Sequence, residues 1–469
     1  MYLMNDRIRH RNRIILFTVF FILGSIFNCL NTMALELSFK QALDKMYIVN
    51  ESLKASKSGV DKSEYERKAA QGLYFPKLWM DGKHTYIDDD IVIDLNDIRS
   101  VMGTLHGIDP EILPSFETTV QDSQFSNANI SFSWTIFTGG KILAANRAAE
   151  ANVMENKEQL LHTRSILTTE LAKRYFGYIL SKEAVKVYKE VLDGIEQHLN
   201  QAQKLEESGM LANSERLHAE VAYADALRNY KRSVRKTNIA QAGLKNTLSS
   251  EETITPLSNL FLTKKIKRLE EYIDSAQKYN HLLKGIAAKK EQAIQKYQAE
   301  KSSHMPNVYL FGKYELYKND LTLLEPEWAA GAGVNLSLFE GFSNTHKIMA
   351  AKKLKEQIRH FEEKAKRDID TLVENNYNEI MMEIEQFEAL TTSKKFANEN
   401  FRVRKRAFKA GMATSLSVVD AQLALSKVKF ERLNAVYAFD IALAELLEVC
   451  GLSEQYEGYQ HNNDVEVQF

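Results

Sequence analysis

The feature that most constrains this chain is a short alternating strand that runs directly into a very long helix, and that occurs twice. In the first instance, Asn127 to Lys141, the residues Ile130, Phe132, Trp134 and Ile136 fall on one face. Asn129, Ser131, Ser133 and Thr135 fall on the other. Such period-2 alternation predicts a β-strand with one apolar and one wet side. Gly139 and Gly140 close it, and a polar, Ala-rich, Pro-free stretch of about seventy residues follows. That is too long for an ordinary globular helix.

The second instance lies 202 residues on. Ile130, Phe132, Trp134 and Ile136 become Ala332, Val334, Leu336 and Leu338, and Gly139 becomes Gly341. Ser131, Ser133 and Thr135 become Gly333, Asn335 and Ser337. Gly209-Met210 becomes Gly411-Met412 at the same offset, so the helices between are equal in length. Upstream the offset changes to 230: Phe75-Pro76-Lys77-Leu78 pairs with Met305-Pro306-Asn307-Val308. A repeat of half a chain marks one duplicated unit and not a solenoid. The 28 extra residues of the first copy fall within Ile87 to Phe125, rich in Asp, and predict a strand-to-strand crossing with an enlarged outer loop.

These offsets divide the chain. Residues 1–34 read as a signal peptide: Arg7, Arg9, Arg11 and Arg13 precede the apolar run Ile14 to Ile26, and Thr32-Met33-Ala34 offers a cleavage site. Cys29 invites a lipoprotein reading, against which stands Asn28 in place of a small residue. The first repeat is 35–250, with strands at about 77–86 and 127–137 and a helical hairpin turning at Gly209. A connector, 251–266, leads to the second repeat, 267–452, with strands at about 307–317 and 329–339 and a hairpin turning at Gly411. The tail, 453–469, is polar with little to bury. Pro76, Pro306, Gly139, Gly140 and Gly341 mark the junctions of strand with helix, because proline disfavours helix in the residue before it.

Composition narrows the class. Net charge is −1, which gives no field for nucleic acid, and mean hydropathy is −0.35, which excludes a multi-span helical membrane protein. Two distant cysteines exclude a disulfide framework. There is no phosphate-cradling Gly-Lys-Ser/Thr, no nucleophile elbow and no Cys or His cluster, so neither catalysis nor a cofactor is expected.

Four strands of about ten alternating residues match tilted membrane-crossing strands, with Ile130, Phe132, Trp134 and Ile136 toward lipid. Four strands cannot close a barrel, and open edges in lipid leave backbone groups unpaired at several kcal/mol each. The chain must then oligomerise. Eight strands give an interior filled by side chains, whereas twelve leave a wet bore. The long helices are too polar for lipid and must pack on one another, with Leu416, Val419, Leu423, Val428, Leu433 and Val436 as a broken apolar stripe.

The duplicated proline before a strand, the strand exits Phe137-Thr138-Gly139-Gly140 and Phe339-Glu340-Gly341-Phe342, and the paired turns at Gly209 and Gly411 together resemble the outer-membrane efflux proteins, the TolC-like channel-tunnels. The resemblance spans about 35–452. It implies a mainly α fold with a membrane β-barrel: a homotrimer whose twelve-stranded barrel continues into a periplasmic α-helical barrel closed at the two glycine turns. It implies an outer-membrane exit duct in a tripartite efflux or type I secretion system. The partners would be a periplasmic membrane-fusion adaptor and an inner-membrane pump of the RND or ABC type. In that family acidic residues after the turns ring the periplasmic entrance. The matching positions are Glu215, Asp420 and Ser417, the last lacking the acid that relatives often carry. Acids in a first helical turn also merely complement the helix dipole, as the basic run Arg402, Arg404, Lys405, Arg406 and Lys409 does before the second turn. From another class, a periplasmic coiled-coil scaffold that forms no pore fits the same helices.

Overall fold

The computed structural model describes residues 35–319, 326–461 and 465–466. The expected signal peptide, with Cys29, lies outside the described residues. The first copy comprises β1 (Leu35–Leu37), α1 (Phe39–Val49), α2 (Glu51–Gln71), β2 (Lys77–Tyr86), β3 (Ile91–Asp94), α3 (Asn96–His106), β4 (Glu117–Gln121), β5 (Gln124–Phe137), α4 (Lys141–Glu207) and α5 (Asn213–Thr247). Between the copies lie β6 (Ile254–Pro256) and β7 (Phe261–Leu262). The second copy comprises α6 (Leu269–Tyr279), α7 (His281–Lys301), β8 (Asn307–Asn319), β9 (Trp328–Asn335), α8 (Ser343–Lys409) and α9 (Ser415–Val449). Two short elements follow, α10 (Tyr456–His461) and β10 (Val465–Glu466).

The helices repeat residue for residue. α1 and α6 have 11 residues, α2 and α7 have 21, α4 and α8 have 67, α5 and α9 have 35. Equal chemistry stops them at equal places. Asn50 ends α1 with its amide on the Met46 carbonyl (2.9 Å), while its Oδ1 accepts from the Leu53 amide (3.2 Å) and starts α2. Asn280 does the same between α6 and α7, through Ala276 (3.0 Å) and Leu283 (2.9 Å). A three-residue 3-10 turn then meets the proline, where Phe75 and Met305 are extended.

The chain forms two compact units, and each draws on both copies. One, Ser58–Glu158 with Lys284–Lys364, holds an antiparallel sheet in the order β2-β5-β8-β9. The two copies meet in it along β5 and β8, from Ser126 opposite Asn319 to Phe137 opposite Val308. Its helical segments contact through polar and small groups: Asn146 Nδ2 donates to the Ala70 carbonyl (2.9 Å) and Gln292 Nε2 to Glu155 (2.6 Å). Gly139, at φ 61°, lies where a Cβ would run into Met305, and that fixes the junction of β5 with α4.

The other unit, built from residues up to Lys57, Gln159–Leu283 and from Ala365 onward, carries the apolar core. β1 pairs in parallel with β6, and β7 pairs with β10. Phe39, Tyr175, Phe176, Phe261, Phe439 and Tyr456 pack edge-on and stacked about one another and are fully buried. Asp440 is buried beside them, and burial pushes its carboxyl well above the usual range. Burial likewise pushes the Cys450 thiol up to about 12, so this cysteine is a packed and inert group.

Five expectations need correcting. β9 ends at Asn335 and not near 339, because its last pair is Asn307 with Asn335 and the next residue of β8's chain is Pro306, which has no N–H. Leu336 and Leu338 keep the alternation without a ladder. β5 begins at Gln124, and β8 runs on to Asn319. The connector, a polar-looking segment with Pro256 in the sequence, buries Ile254, Leu260, Phe261 and Leu262. The tail does have something to bury, since Tyr456 is 1 % exposed among the core aromatics.

Gly451, the counterpart of Ser249, offers a test of where glycine is required. Both have positive φ, 69° and 45°, but only at Gly451 would a Cβ collide with backbone, the Tyr279 carbonyl. Gly209 also has positive φ (71°), with open space around it. Gly209→Ala should therefore cost about 1 kcal/mol, the left-handed penalty alone, and Gly451→Ala clearly more. Urea melts of the detergent-solubilised protein should show that order; equal losses would mean that the Tyr279 approach is not a constraint.

Candidate functional site

Two regions carry the residues singled out by sequence: the helix turns and the sheet. At the turns, Gly209 and Gly411 sit at φ 71° and 74°. The next amides return to carbonyls five residues back, Met210 to Leu205 (2.8 Å) and Met412 to Ala407 (2.9 Å). This is the left-handed helix stop that glycine makes without a Cβ penalty. Met210 and Met412 beyond them are exposed.

Glu215 does not stand alone in the first turn of α5. Its Oε2 accepts from the backbone amide of Ser415 (2.7 Å), the first residue of α9, so a carboxylate of one copy caps the helix of the other. Ser415 is fully buried, and its Oγ is hydrogen-bonded to His198 Nε2 (2.6 Å). The His198 ring packs edge-on against Phe408, centroids 4.6 Å apart. Ser417, the counterpart of Glu215, turns inward on its own helix start: its amide donates to Thr414 Oγ1 (3.3 Å) and the two hydroxyls are 2.9 Å apart. Asp420 is exposed and borders a groove of about 330 Å³ with His218, Val221, Asp225, Leu416 and Leu423. In the basic run, Arg402 pairs with Glu399 and Lys405 reaches Gln197 Oε1 (3.4 Å).

Neither His198 nor Ser415 stands out in the sequence. Each is ordinary in isolation, and their meeting depends on the spacing of two hairpins. The one available signal was a histidine on a helix interior face opposite the start of another helix. Burial, with Lys405 nearby, lowers the His198 pKa to about 4, against a smaller opposing pull from Glu215.

In the sheet, Ile130, Phe132, Trp134 and Ile136 share a face with Leu78, Met80, Leu310, Ala330, Ala332 and Val334 by register. Leu78 and Met80 are more than 70 % exposed, and Phe132, Trp134 and Ile136 are exposed as well. Trp134 Nε1–H donates to the Tyr74 carbonyl (2.9 Å), so its polar end is satisfied at the helix end of the strand. Phe132 lies over Gly312, where a Cβ would enter its ring. On the opposite face Phe311 covers Gly331 and Tyr309 covers Gly333. That face also carries Ser131, Ser133, Asn129 and Lys313. The outer edges of β2 and β9 have no partner strand among the described residues.

Among the described residues no helix is long and apolar enough to cross a membrane, and no group of His, Cys, Asp or Glu is disposed to hold a metal ion. A duplicated unit of strand pair and long helical hairpin, with a sheet open at both edges and apolar on one exposed face, defines a channel-forming class. The profile of the family described as "Outer membrane efflux protein" matches residues 42–250 and 272–452, and the chain belongs to that family. No curated protein matches the chain in sequence.

Solved structures share the fold at low identity. CusC, whose structures describe folding and transmembrane channel formation, aligns with a TM-score of 0.74 at 13 % identity, over 88 % of this chain and 92 % of CusC. The Campylobacter jejuni CmeC outer-membrane channel aligns with a TM-score of 0.71 at 12 % identity, over 91 % and 90 %. The open state of the Neisseria gonorrhoeae MtrE outer-membrane channel aligns with a TM-score of 0.71 at 16 % identity, over 88 % and 89 %. The protein is thus an outer-membrane efflux channel with a TolC-like fold.

The depressed His198 pKa predicts that the turn region loosens in acid. With its folded pKa depressed to about 4 and a free value of 6.5, the loosened state takes up a proton more readily between those values. The arrangement with His198 buried against Ser415 is then fully favoured above pH 6.5 and loses ground as pH falls toward 4. Amide exchange at 407–418, corrected for intrinsic rates, should reveal roughly thirtyfold more opening at pH 5 than at pH 7.5. His198→Gln should abolish that dependence; an unaltered profile would mean that the His198–Ser415 contact does not hold the two hairpins together.

Proposed function

We propose that three copies close a twelve-stranded barrel across the outer membrane, with the helices extending as a periplasmic α-helical barrel. The assembly is a passive exit duct for substrates handed over by a periplasmic membrane-fusion adaptor and an inner-membrane pump of the RND or ABC type. One observation carries this reading: a four-stranded sheet that, among the described residues, has two unpaired edges and an exposed apolar face. In lipid such edges cost several kcal/mol per unpaired group, so each copy's β2 pairs with the next copy's β9. Two copies would give eight strands and a filled interior; three give a bore wide enough for water. The polar face, with Ser131, Ser133 and Lys313, then lines the lumen, and Trp134 stands among acyl chains. A periplasmic scaffold has no use for that exposed apolar face.

At the other end the turns at Gly209 and Gly411 narrow the entrance. Asp420, exposed beside its groove, supplies its carboxylate ring, and Glu215 instead holds the two hairpins of one copy together. Carboxylates converging on a threefold axis repel one another and attract cations.

Two measurements test this. The protein in lipid should run as a trimer, and with Trp79 and Trp328 replaced by Phe, brominated acyl chains should quench the remaining Trp134 by more than half. A monomer, or a Trp134 quenched by aqueous iodide instead, would end the barrel reading. Asp420→Ala should raise single-channel conductance about twofold and weaken block by multivalent cations about tenfold. If both stay unchanged, Asp420 is not at the constriction.

A further inference from the structure

The β2–β5 crossing carries a small structure that has no counterpart in the 202-residue repeat. Beyond Tyr86 and Gln124 the ladder continues through the Ile87 amide to the Ser123 carbonyl (2.9 Å), then into the β3–β4 pair, with α3 between those strands. The insert is thereby placed past the strand ends that lie opposite the long helices.

α3 is fastened to the insert by its polar side. Asp94 Oδ1 accepts from the Asn96 amide (2.8 Å), and Arg99 Nε donates to the Pro110 carbonyl (2.6 Å). Gly103 comes so close that a Cβ would lie 2.8 Å from both the Ile108 oxygen and Pro110 Cγ. Asn96, Arg99 and Gly103 follow one another at helical spacing on one face. Ile98, Val101, Met102 and Leu105 follow at the same spacing on the opposite face, and all four are exposed. A surface helix normally turns the other way, apolar side inward. Eleven residues are also too few to hold a helix in water unaided. The stripe is an apolar surface with a polar back, a pattern of recognition sites.

Charge decides what covers it. From Ile87 to Phe125 the chain has nine Asp and Glu, one Arg and no Lys. The single Arg99 is directed inward to Pro110. A second copy of the insert would bring a like charge against it, and an anionic lipid surface would do the same. We infer that the stripe docks a cationic amphipathic helix of another protein or peptide, its apolar side chains on Val101 and Leu105 and its Lys and Arg in the field of the flanking acids. The site does not depend on whether the sheet lines a pore.

The test uses the full chain in phosphatidylcholine nanodiscs and a dye-labelled 14-residue peptide of Leu and Lys at amphipathic helical spacing. Binding should saturate, weaken at least tenfold for the Val101→Ser, Leu105→Ser double variant, and weaken about tenfold between ~50 and ~500 mM salt. The same peptide with Glu for Lys should not bind. Channel conductance of the double variant, whose two residues lie outside the sheet, should match the parent and so report correct folding. Equal binding by the variant, insensitivity to salt, or binding of the Glu peptide would overturn the inference. So would a polarity-sensitive dye on Leu105→Cys that is already in an apolar setting before peptide is added, since a neighbouring copy or lipid would then be the occupant.

Discussion

The architecture turns on the pairing of β5 with β8. A strand must satisfy its backbone on both sides or leave polar groups exposed, and each copy by itself has only one partner strand to offer. β5 takes β2 from its own copy and β8 from the other, so the sheet exists only because the copies share it. The register brings Phe132 over Gly312 and closes the apolar face without a gap. It also sets β2 and β9 as the two edges, and therefore the surfaces through which any larger barrel has to grow.

A second constraint acts at the opposite end of the long helices. Identical helix lengths bring Gly209 and Gly411 to corresponding places, but the chemistry around them has diverged. In the first turn a carboxylate reaches across to the amide of Ser415; in the second, Thr414 and Ser417 satisfy each other locally. Backbone geometry has kept the duplication while side-chain links have broken it. The result is a pair of hairpins joined by one charge-assisted hydrogen bond, one buried histidine and a small apolar cluster of Ala202, Ala219, Phe408 and Val418.

What could be read from the sequence followed from spacing, and what could not followed from partners. The offsets of 202 and 230 set every long helix, because Asn50, Asn280, Gly209 and Gly411 act on their immediate neighbours. β9 stops short of the alternation in Leu336 and Leu338 because Pro306 has withdrawn the donor there. The tail's burial is invisible in the sequence because a single Tyr456 gives no pattern, though it fills a core assembled from four separate segments. In the insert the spacing of Ile98, Val101, Met102 and Leu105 was present but lay among aspartates that suggested only a loop. His198 and the cross-copy role of Glu215 depend on contacts more than 190 residues apart in the chain, which periodicity does not report.

The parallel pair of β1 with β6 has a consequence for how such a molecule is made. Leu35 to Leu37 find their strand partner only once some 220 more residues have been delivered, and the aromatic box around Phe39 stays open until Tyr456 arrives. Neither half is a domain in its own right: a chain cut between the copies would bare the interior on both sides of the cut. The gene's two halves have become one obligate folding event, and a protein exported in an extended form must stay soluble and uncommitted almost to its last residue before it can take shape.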